Sequence, residues 1–341
     1  MSEDRPLRVA LLGHGSRADR WASALLGRAE VSPLPELPSS AIDAVILAPG
    51  TIDPFARARE ALLADVPVLY AAPFLLSPWQ ADVLDGLSRR QKRLLCFVEP
   101  FQYRRGFAFM QRLLEGREPF WRPLYLRSTC VVQPGHPARL DDLATEELAV
   151  CDRLLDGRPT HVIASAARRD EAGEVVAAFL TVQYSSGPVV HYTISLAEAT
   201  SVRQLVAVTP ERTLVMDELD PAASLRIAGG REQEAFGEGQ AQRAGRENAL
   251  APAGPDVVVE EVKRFLRAVA AGERASGNSD RWVRVASVWW AARQSMSFGG
   301  QIDVPSPKLA DTTPPPLTVI EGGGGSTEAG RIRPPLTVVA R

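Results

Sequence analysis

Short apolar runs alternate with amphipathic segments over the first third of the chain. The runs lie at 7–12, 44–48, 67–70 and 94–98, and segments with helical periodicity lie between them at 19–26, 54–64 and 78–90. Each run has the length of a buried strand, and each intervening segment is long enough to cross back over a sheet. The alternation predicts a parallel sheet with crossover helices on both faces.

Longer strand-like stretches dominate the sequence from about residue 124. They lie at 125–132, 161–168, 175–184, 189–196 and 205–215, with helical patterns at 141–156, 257–271 and 282–297. The sequence Ser-Ser-Gly-Pro at 185–188 predicts a hairpin turn between two of these strands. This half of the chain is therefore predicted to be an α+β domain with a mostly antiparallel sheet.

The composition changes again near residue 305, where prolines and then four consecutive glycines follow. This predicts three parts: a first domain at 1–123, a second at 124–304 and a flexible tail at 305–341. The tail contains the sequence Pro-Pro-Leu-Thr-Val twice, at 315–319 and 334–338. Two interpretations stay open: a docking peptide for a partner or a neighbouring subunit, and a neutral repeat.

Charge and hydropathy narrow the classes of partner. The 341 residues include 39 Lys plus Arg against 41 Asp plus Glu, so the chain has no overall basic field for nucleic acid or anionic membranes. No apolar run approaches the length of a membrane span, and the N-terminus has no signal-like stretch. We expect a cytoplasmic protein whose partners are small molecules or proteins.

Few residues are suited to metal binding or to chemistry that needs an amine. The three cysteines are far apart and outside any Cys-x-x-Cys pattern, and no pair of the four histidines has metal-ligand spacing. We therefore predict no metal site. Only three lysines are present, at 92, 263 and 308, so a titratable amine has few candidates.

A glycine-rich loop connects the first strand to the first helix. Gly13, Gly15 and Ala18 have the dinucleotide-binding spacing, in which the first glycine permits a tight turn and the second lets a pyrophosphate approach the backbone. Ser16 and Arg17 in this loop are predicted cofactor contacts. Ala48 and Pro49, which end the next buried strand, are predicted contacts as well.

The second strand of such a fold should follow about 20 residues later and end in an acidic residue that binds the adenosine ribose. Here the residues at 30–38 include three prolines, each without an amide donor, so they cannot form a central strand. The adenosine side of the site is thus predicted to be reduced. Binding of NAD or NADP is a prediction that this reduction makes doubtful.

With the glycine loop, the strand at 43–49 and the β-rich second half, the chain resembles the Gfo/Idh/MocA family of NAD(P)-dependent oxidoreductases over residues 6–304. The resemblance implies a Rossmann-like parallel sheet with a reduced second strand and helix, and a C-terminal α+β domain with a mostly antiparallel open sheet. It also implies a homo-oligomer that pairs through that sheet.

Two family motifs depart from the pattern. The family's Glu-Lys-Pro motif corresponds to Ala71-Ala72-Pro73, so Ala72 replaces the catalytic lysine. Aligning Asp152 with the aspartate of the family's Gly-x-His-x-x-Asp motif places Ala149 where the catalytic histidine belongs. We therefore predict no conventional catalytic residue. Asp152 remains a candidate substrate contact, or an ion-paired helix residue.

The segment after the last strand of the first domain supplies further candidates. Tyr103 and Arg104 are predicted substrate contacts, because the interdomain cleft lies at this end of the sheet; an exposed basic face is the alternative. His136, in a Pro-Gly-His-Pro loop, is a candidate to replace the missing proton carrier.

Two functions follow from these residues. The favoured one is a catalytically degenerate relative that uses the scaffold for binding or assembly. The alternative is an active NAD(P)-dependent oxidoreductase that acts on a sugar-like or cyclic polyol substrate with non-standard catalytic residues.

Overall fold

The computed structural model describes residues 6–32, 42–71, 76–116, 121–135, 138–220, 225–229, 256–274 and 277–306. Side chains are described in all of these ranges except at residues 31, 32 and 105. Several predicted features lie outside the described residues: the prolines at 33, 35 and 38, Ala72, His136, and the tail from residue 307 with its Pro-Pro-Leu-Thr-Val repeat. The division into domains at 123 and 304 stays a prediction.

Seven helices lie within the described residues. They are α1 (Ser16–Leu25), α2 (Pro54–Leu63), α3 (Pro78–Gln91), α4 (Arg105–Leu114), α5 (Leu140–Leu154), α6 (Val257–Ala270) and α7 (Ser279–Phe298). Local sequence starts several of them: α3 begins at Ser77, whose hydroxyl accepts the Gln80 N–H while the Gln80 side chain accepts the Ser77 N–H. A short 3₁₀ helix occupies Pro100–Tyr103.

The first sheet is parallel and has five strands. They are β1 (Leu7–Leu12), β2 (Ala29–Ser32), β3 (Ala44–Leu47), β4 (Val68–Tyr70) and β5 (Leu95–Phe97). The order across the sheet is β2-β1-β3-β4-β5. The residues of β3, β4 and β5 are all buried, because α1 and α6 pack on one face and α2 and α3 on the other.

Strand β2 partly corrects the prediction for residues 30–38. It pairs in parallel with β1 from the Leu7–Ala29 pair to the Ala10–Ser32 pair, so the second strand is present, although it is only four residues long. Its last residue, Ser32, is also the last described residue before Pro33, and β2 lies at the edge of the sheet within the described residues. The three prolines of the predicted interruption lie outside the described residues.

The second sheet has eight strands and is mostly antiparallel, as predicted. The strands are β6 (Tyr125–Val131), β7 (Pro159–Arg169), β8 (Val175–Tyr184), β9 (Val189–Ser195), β10 (Val202–Val208), β11 (Thr213–Asp217), β12 (Leu225–Ala228) and β13 (Gln301–Asp303). Their order is β12-β11-β10-β6-β9-β8-β7-β13, and only β6 and β9 pair in parallel within the described residues.

Two element predictions need correction, one in this half of the chain and one before it. The single strand predicted at 205–215 is a hairpin of β10 and β11, because the chain turns at 209–212, where the Thr209 N–H donates to the Arg212 carbonyl. Helix α4 was not predicted. The predicted turn at 185–188 is confirmed, since β8 and β9 pair as an antiparallel hairpin.

Helix α7 joins the two sheets. Its N-terminal Asn278 side chain pairs with the open edge of β5: its amide oxygen accepts the Phe97 N–H and its amide nitrogen donates to the Phe97 carbonyl, both at 2.8 Å. The preceding Gly277 lies so close to β5 that a Cβ there would be 1.8 Å from the Leu95 carbonyl oxygen. Farther along, α7 packs on α5 and β7, so one apolar core extends from the first sheet into the second.

Candidate functional site

The glycine loop between β1 and α1 has the backbone that a dinucleotide fold requires. Gly13 has φ +138°, and a Cβ on it would be 2.8 Å from the Pro49 carbonyl oxygen. Gly15 has φ +84° and caps α1, and a Cβ on it would point into open space. Gly13 is thus required by the neighbouring backbone, whereas Gly15 is required by its own conformation and leaves the approach to α1 clear.

The loop after β3 is hydrogen-bonded to the glycine loop and to the end of β1. The His14 N–H donates to the Pro49 carbonyl at 3.3 Å. The Thr51 hydroxyl contacts the carbonyls of both Leu12 and Ala48, at 2.9 and 2.6 Å, which joins the ends of β1 and β3. Ala48 is fully buried, so the structure places it beneath the loop.

The first turn of α1 presents donors toward this space. Ala18 and Asp19 donate their N–H groups to the Gly15 carbonyl, but the N–H groups of Ser16 and Arg17 have no partner within the described residues. Unpaired amides at a helix N-terminus favour an anion. The glycine loop therefore fits the pyrophosphate of a dinucleotide, with Ser16 and Arg17 beside it.

Alanine occupies both positions at which the family pattern has a catalytic residue, Ala72 and Ala149. Ala72 lies outside the described residues. Ala149 lies on α5, fully buried in the apolar core. Because its methyl group packs among core side chains, position 149 presents no polar group to a cleft.

Asp152, one turn farther along α5, is held in a buried ion pair. The Arg284 guanidinium donates to its carboxylate at 2.8 and 3.1 Å, and Arg281 Nε lies 3.7 Å away. The Tyr184 hydroxyl also donates to it, at 3.4 Å. Burial raises the pKa of Asp152 against the opposing attraction of both arginines. The sequence left two interpretations of Asp152 open, and the structure shows it as an ion-paired helix residue. A contact between Asp152 and substrate stays a prediction.

Arg104 belongs to a network of five charged side chains that the sequence analysis did not identify. This network, here called the Arg104–Arg203 cluster, comprises Arg104, Glu146, Glu147, Arg203 and Glu218. Arg104 donates to Glu146 at 2.7 Å and to Glu218 at 2.6 Å, and Arg203 donates to Glu146 at 2.6 Å. Arg104 therefore does not form an exposed basic face, and its predicted contact with substrate remains to be tested.

Glu147 is the most deeply buried acid of this cluster. Its carboxylate accepts a 2.6 Å hydrogen bond from the Ser128 hydroxyl and lies 3.2 Å from Arg203. Burial raises the pKa of Glu147, and the positive charge of Arg203 only partly offsets this. With three carboxylates and two guanidiniums in the cluster, protonation of Glu147 would balance its charge. A buried acid with a raised pKa is a candidate for proton transfer.

Tyr103, Cys96 and Cys130 are held in their neutral forms, which are poor nucleophiles and poor bases. The Tyr103 hydroxyl is buried without a hydrogen-bond partner among the described residues, and burial raises its pKa to about 12. Tyr103 forms no hydrogen bond with Glu146 or Glu218, the acids that pair with Arg104, within the described residues. Burial also raises the pKa of Cys96 and of Cys130 to about 12, so both remain thiols.

No group of three or more His, Cys, Asp and Glu side chains in the described ranges could hold a metal ion. Over the same part of the chain, every helix is too short or too polar to cross a lipid bilayer.

Comparisons with known proteins support the fold. A scan against protein-family models found no match, and a search of curated proteins found none. Among solved structures, UDP-N-acetylglucosamine 3-dehydrogenase GnnA from Acidithiobacillus ferrooxidans matches with a TM-score of 0.70 and 18% identity, covering 86% of this chain and 98% of that one. GenD2 from gentamicin A biosynthesis, solved with NAD, matches with a TM-score of 0.69 and 16% identity, covering 90% and 98%. Levoglucosan dehydrogenase with NADH matches with a TM-score of 0.69 and 16% identity, covering 88% and 100%.

These likenesses extend over both sheets and show that the chain has the fold of the Gfo/Idh/MocA-type NAD-dependent dehydrogenases. The fold predicted from the sequence is thereby confirmed. At such low identity they show the fold alone.

Proposed function

We propose that this protein binds a dinucleotide of the NAD class on its glycine loop, lacks the family's hydride-transfer chemistry, and acts as a binding or assembly protein. One observation carries the proposal. The glycine loop has the backbone conformation that fits a pyrophosphate, whereas Ala149, which replaces the family histidine, is buried in the apolar core. Alanine at position 72 supports the same conclusion from the sequence.

The cofactor's part would be a nicotinamide ring that can exchange a hydride. This chain would hold the cofactor's pyrophosphate through the backbone N–H groups of Ser16 and Arg17, beside Gly13 and Gly15. Two solved structures of the same fold, GenD2 and levoglucosan dehydrogenase, are complexes with NAD and NADH, which supports the choice of cofactor class. A positioned acid or base typically contributes about 10² to 10⁴ in rate, so losing two would leave little turnover.

A second candidate function is an oxidoreductase in which Glu147 handles the proton. The observation that favours it is the raised pKa of Glu147, together with its hydrogen bond to Ser128 and its link through Arg203 and Glu146 to Arg104, at the carboxyl end of the first sheet. Against it, both arginines already form ion pairs with carboxylates of the cluster.

Turnover assays separate the two functions. The full chain is mixed with NAD⁺ and either myo-inositol or levoglucosan, and NADH formation is recorded by absorbance. We expect no NADH above background. NADH formation that is lost in Glu147→Gln and kept in Glu198→Gln, at an exposed position outside the cluster, would contradict the proposal and establish the second candidate.

For assembly, we propose that copies of the chain pair through the open face of the second sheet. Phe179 on β8 and Ile163 on β7 are 52% and 47% exposed on that face. The tail repeat would then dock to a partner or a neighbouring subunit.

Light scattering tests the pairing. We expect the full chain to have a multiple of 36.9 kDa, and Phe179→Asp to shift the mass toward 36.9 kDa, because a buried unpaired carboxylate opposes association. Leu63→Asp, at a similarly exposed position at the end of α2, serves as the control and should keep the mass of the unmodified chain. A monomeric parent chain, or an unchanged mass for Phe179→Asp, would refute the pairing.

A further inference from the structure

A cavity of about 610 Å³ lies against the β5 edge of the first sheet, away from the glycine loop. The C-terminal half of α6 and the start of α7 form its walls, and Arg153, in the last turn of α5, closes one side. Its floor is apolar and buried, formed by Leu94, Cys96, Phe265 and Ala268. No residue of the glycine loop lines it. We call it the Arg153 pocket.

Four arginines line the Arg153 pocket, and two of them are neutralised. Arg281 donates to Glu99 at 2.7 Å, and Arg264 donates to Glu261, on the same helix, at 2.9 Å. These two pairs are part of the wall and leave no net charge.

The other two arginines, Arg153 and Arg267, form no ion pair within the described residues. Arg153 Nε is buried and has no hydrogen-bond partner there. Arg267 donates only from Nε, to the Lys263 carbonyl at 3.2 Å, which leaves the rest of its guanidinium available. Leaving a buried N–H of a charged group without a partner costs about 1–3 kcal/mol or more. A bound acceptor beside Arg153 Nε would remove that cost.

The acids of the pocket do not supply that acceptor. Besides Glu99, the lining contains Asp280 and Glu273. Asp280 accepts from Arg284 at 3.0 Å. Glu273 is the one lining acid without an ion pair among the described residues, so two unpaired arginines, Arg153 and Arg267, face one unpaired carboxylate.

We infer that the Arg153 pocket binds a small organic oxyanion, a phosphate monoester or a carboxylate, whose charged end lies on Arg153 and Arg267 and whose body packs on Phe265 and Ala268. Guanidinium groups match the planar and bidentate geometry of both oxyanions. The volume exceeds that of a bare phosphate and lies in the range of pockets that enclose small organic ligands. Cys96 takes no covalent part, since burial raises its pKa to about 12.

Titration calorimetry of the full chain with phenyl phosphate, and separately with benzoate, tests this at an ionic strength held constant with NaCl. We expect saturable binding of at least one probe, and the tighter probe identifies the anion. Arg153→Lys keeps the positive charge at the end of α5 but loses the guanidinium, and it should weaken binding at least fivefold. Arg267→Gln, at an exposed position, should weaken it by a similar factor.

Arg90→Lys is the matched control, because Arg90 also lies in the last turn of a helix, α3, but not at the pocket. It should leave the affinity unchanged. The inference is overturned if neither probe saturates, or if Arg153→Lys and Arg267→Gln bind as tightly as the parent chain. Binding of NAD⁺ should be the same in all three variants, so failure of this site and failure of the proposed function are separate results.

Discussion

Replacing Asp152 by asparagine is expected to lower the free energy of unfolding by about 3 kcal/mol, because Arg284 loses its buried carboxylate partner and keeps only the half-exposed Asp280. The carboxylate of Asp152 is almost completely buried and accepts from Arg284 in a two-pronged contact. Asparagine keeps the shape of the side chain, so the loss measures the charge and not a cavity. Urea unfolding followed by tryptophan fluorescence gives the value.

Asp280→Asn is the matched control for this change. Asp280 pairs with the same arginine at 3.0 Å, but its side chain is 51% exposed, so solvent screens the pair. We expect a loss of less than about 1 kcal/mol for the control. If Asp152→Asn cost no more than Asp280→Asn, the ion pair would not account for the buried carboxylate. A substrate role for Asp152 would then become the better explanation.

Much of the fold was predictable from local pattern. The apolar runs of β1 and β3 are short and bounded by glycine or proline, so their length alone identified buried strands. Helix α3 begins at a serine followed by proline, which is a local start signal. The β10–β11 hairpin was missed because apolar residues flank a turn of only four residues, and the periodicity continues across it.

The candidate site was only partly predictable. The spacing of Gly13 and Gly15 identified the glycine loop, because the required backbone conformation is a property of those residues themselves. The Arg104–Arg203 cluster could not be found in this way, since Arg104 and Glu218 are 114 residues apart and meet only through the packing of the two sheets. The one local signal was the adjacent pair Glu146 and Glu147 within an otherwise largely apolar helix.

Replacing Gly15 by alanine is expected to weaken the binding of NAD⁺ or NADP⁺ about tenfold or more, equivalent to at least about 1.4 kcal/mol. The added methyl group would project from the cap of α1 into open space, where the proposed dinucleotide would lie. Alanine would also have to adopt the backbone of Gly15, with φ 84° and ψ 172°, at a cost of about 1–3 kcal/mol in stability. Only the first effect concerns the ligand.

Gly27→Ala separates these two effects. Gly27 follows the other end of α1, has φ +70°, and a Cβ on it would likewise meet nothing within 4 Å. The two variants should therefore lose similar stability, whereas only Gly15→Ala should lose affinity for the dinucleotide.

Titration calorimetry of NAD⁺ and NADP⁺ into the full chain, Gly15→Ala and Gly27→Ala is the measurement that tests dinucleotide binding most directly. We expect saturable binding of at least one dinucleotide to the full chain, the same affinity in Gly27→Ala and a loss of affinity in Gly15→Ala. Absence of saturable heat with both dinucleotides in the full chain, or unchanged affinity in Gly15→Ala, would contradict the proposed binding.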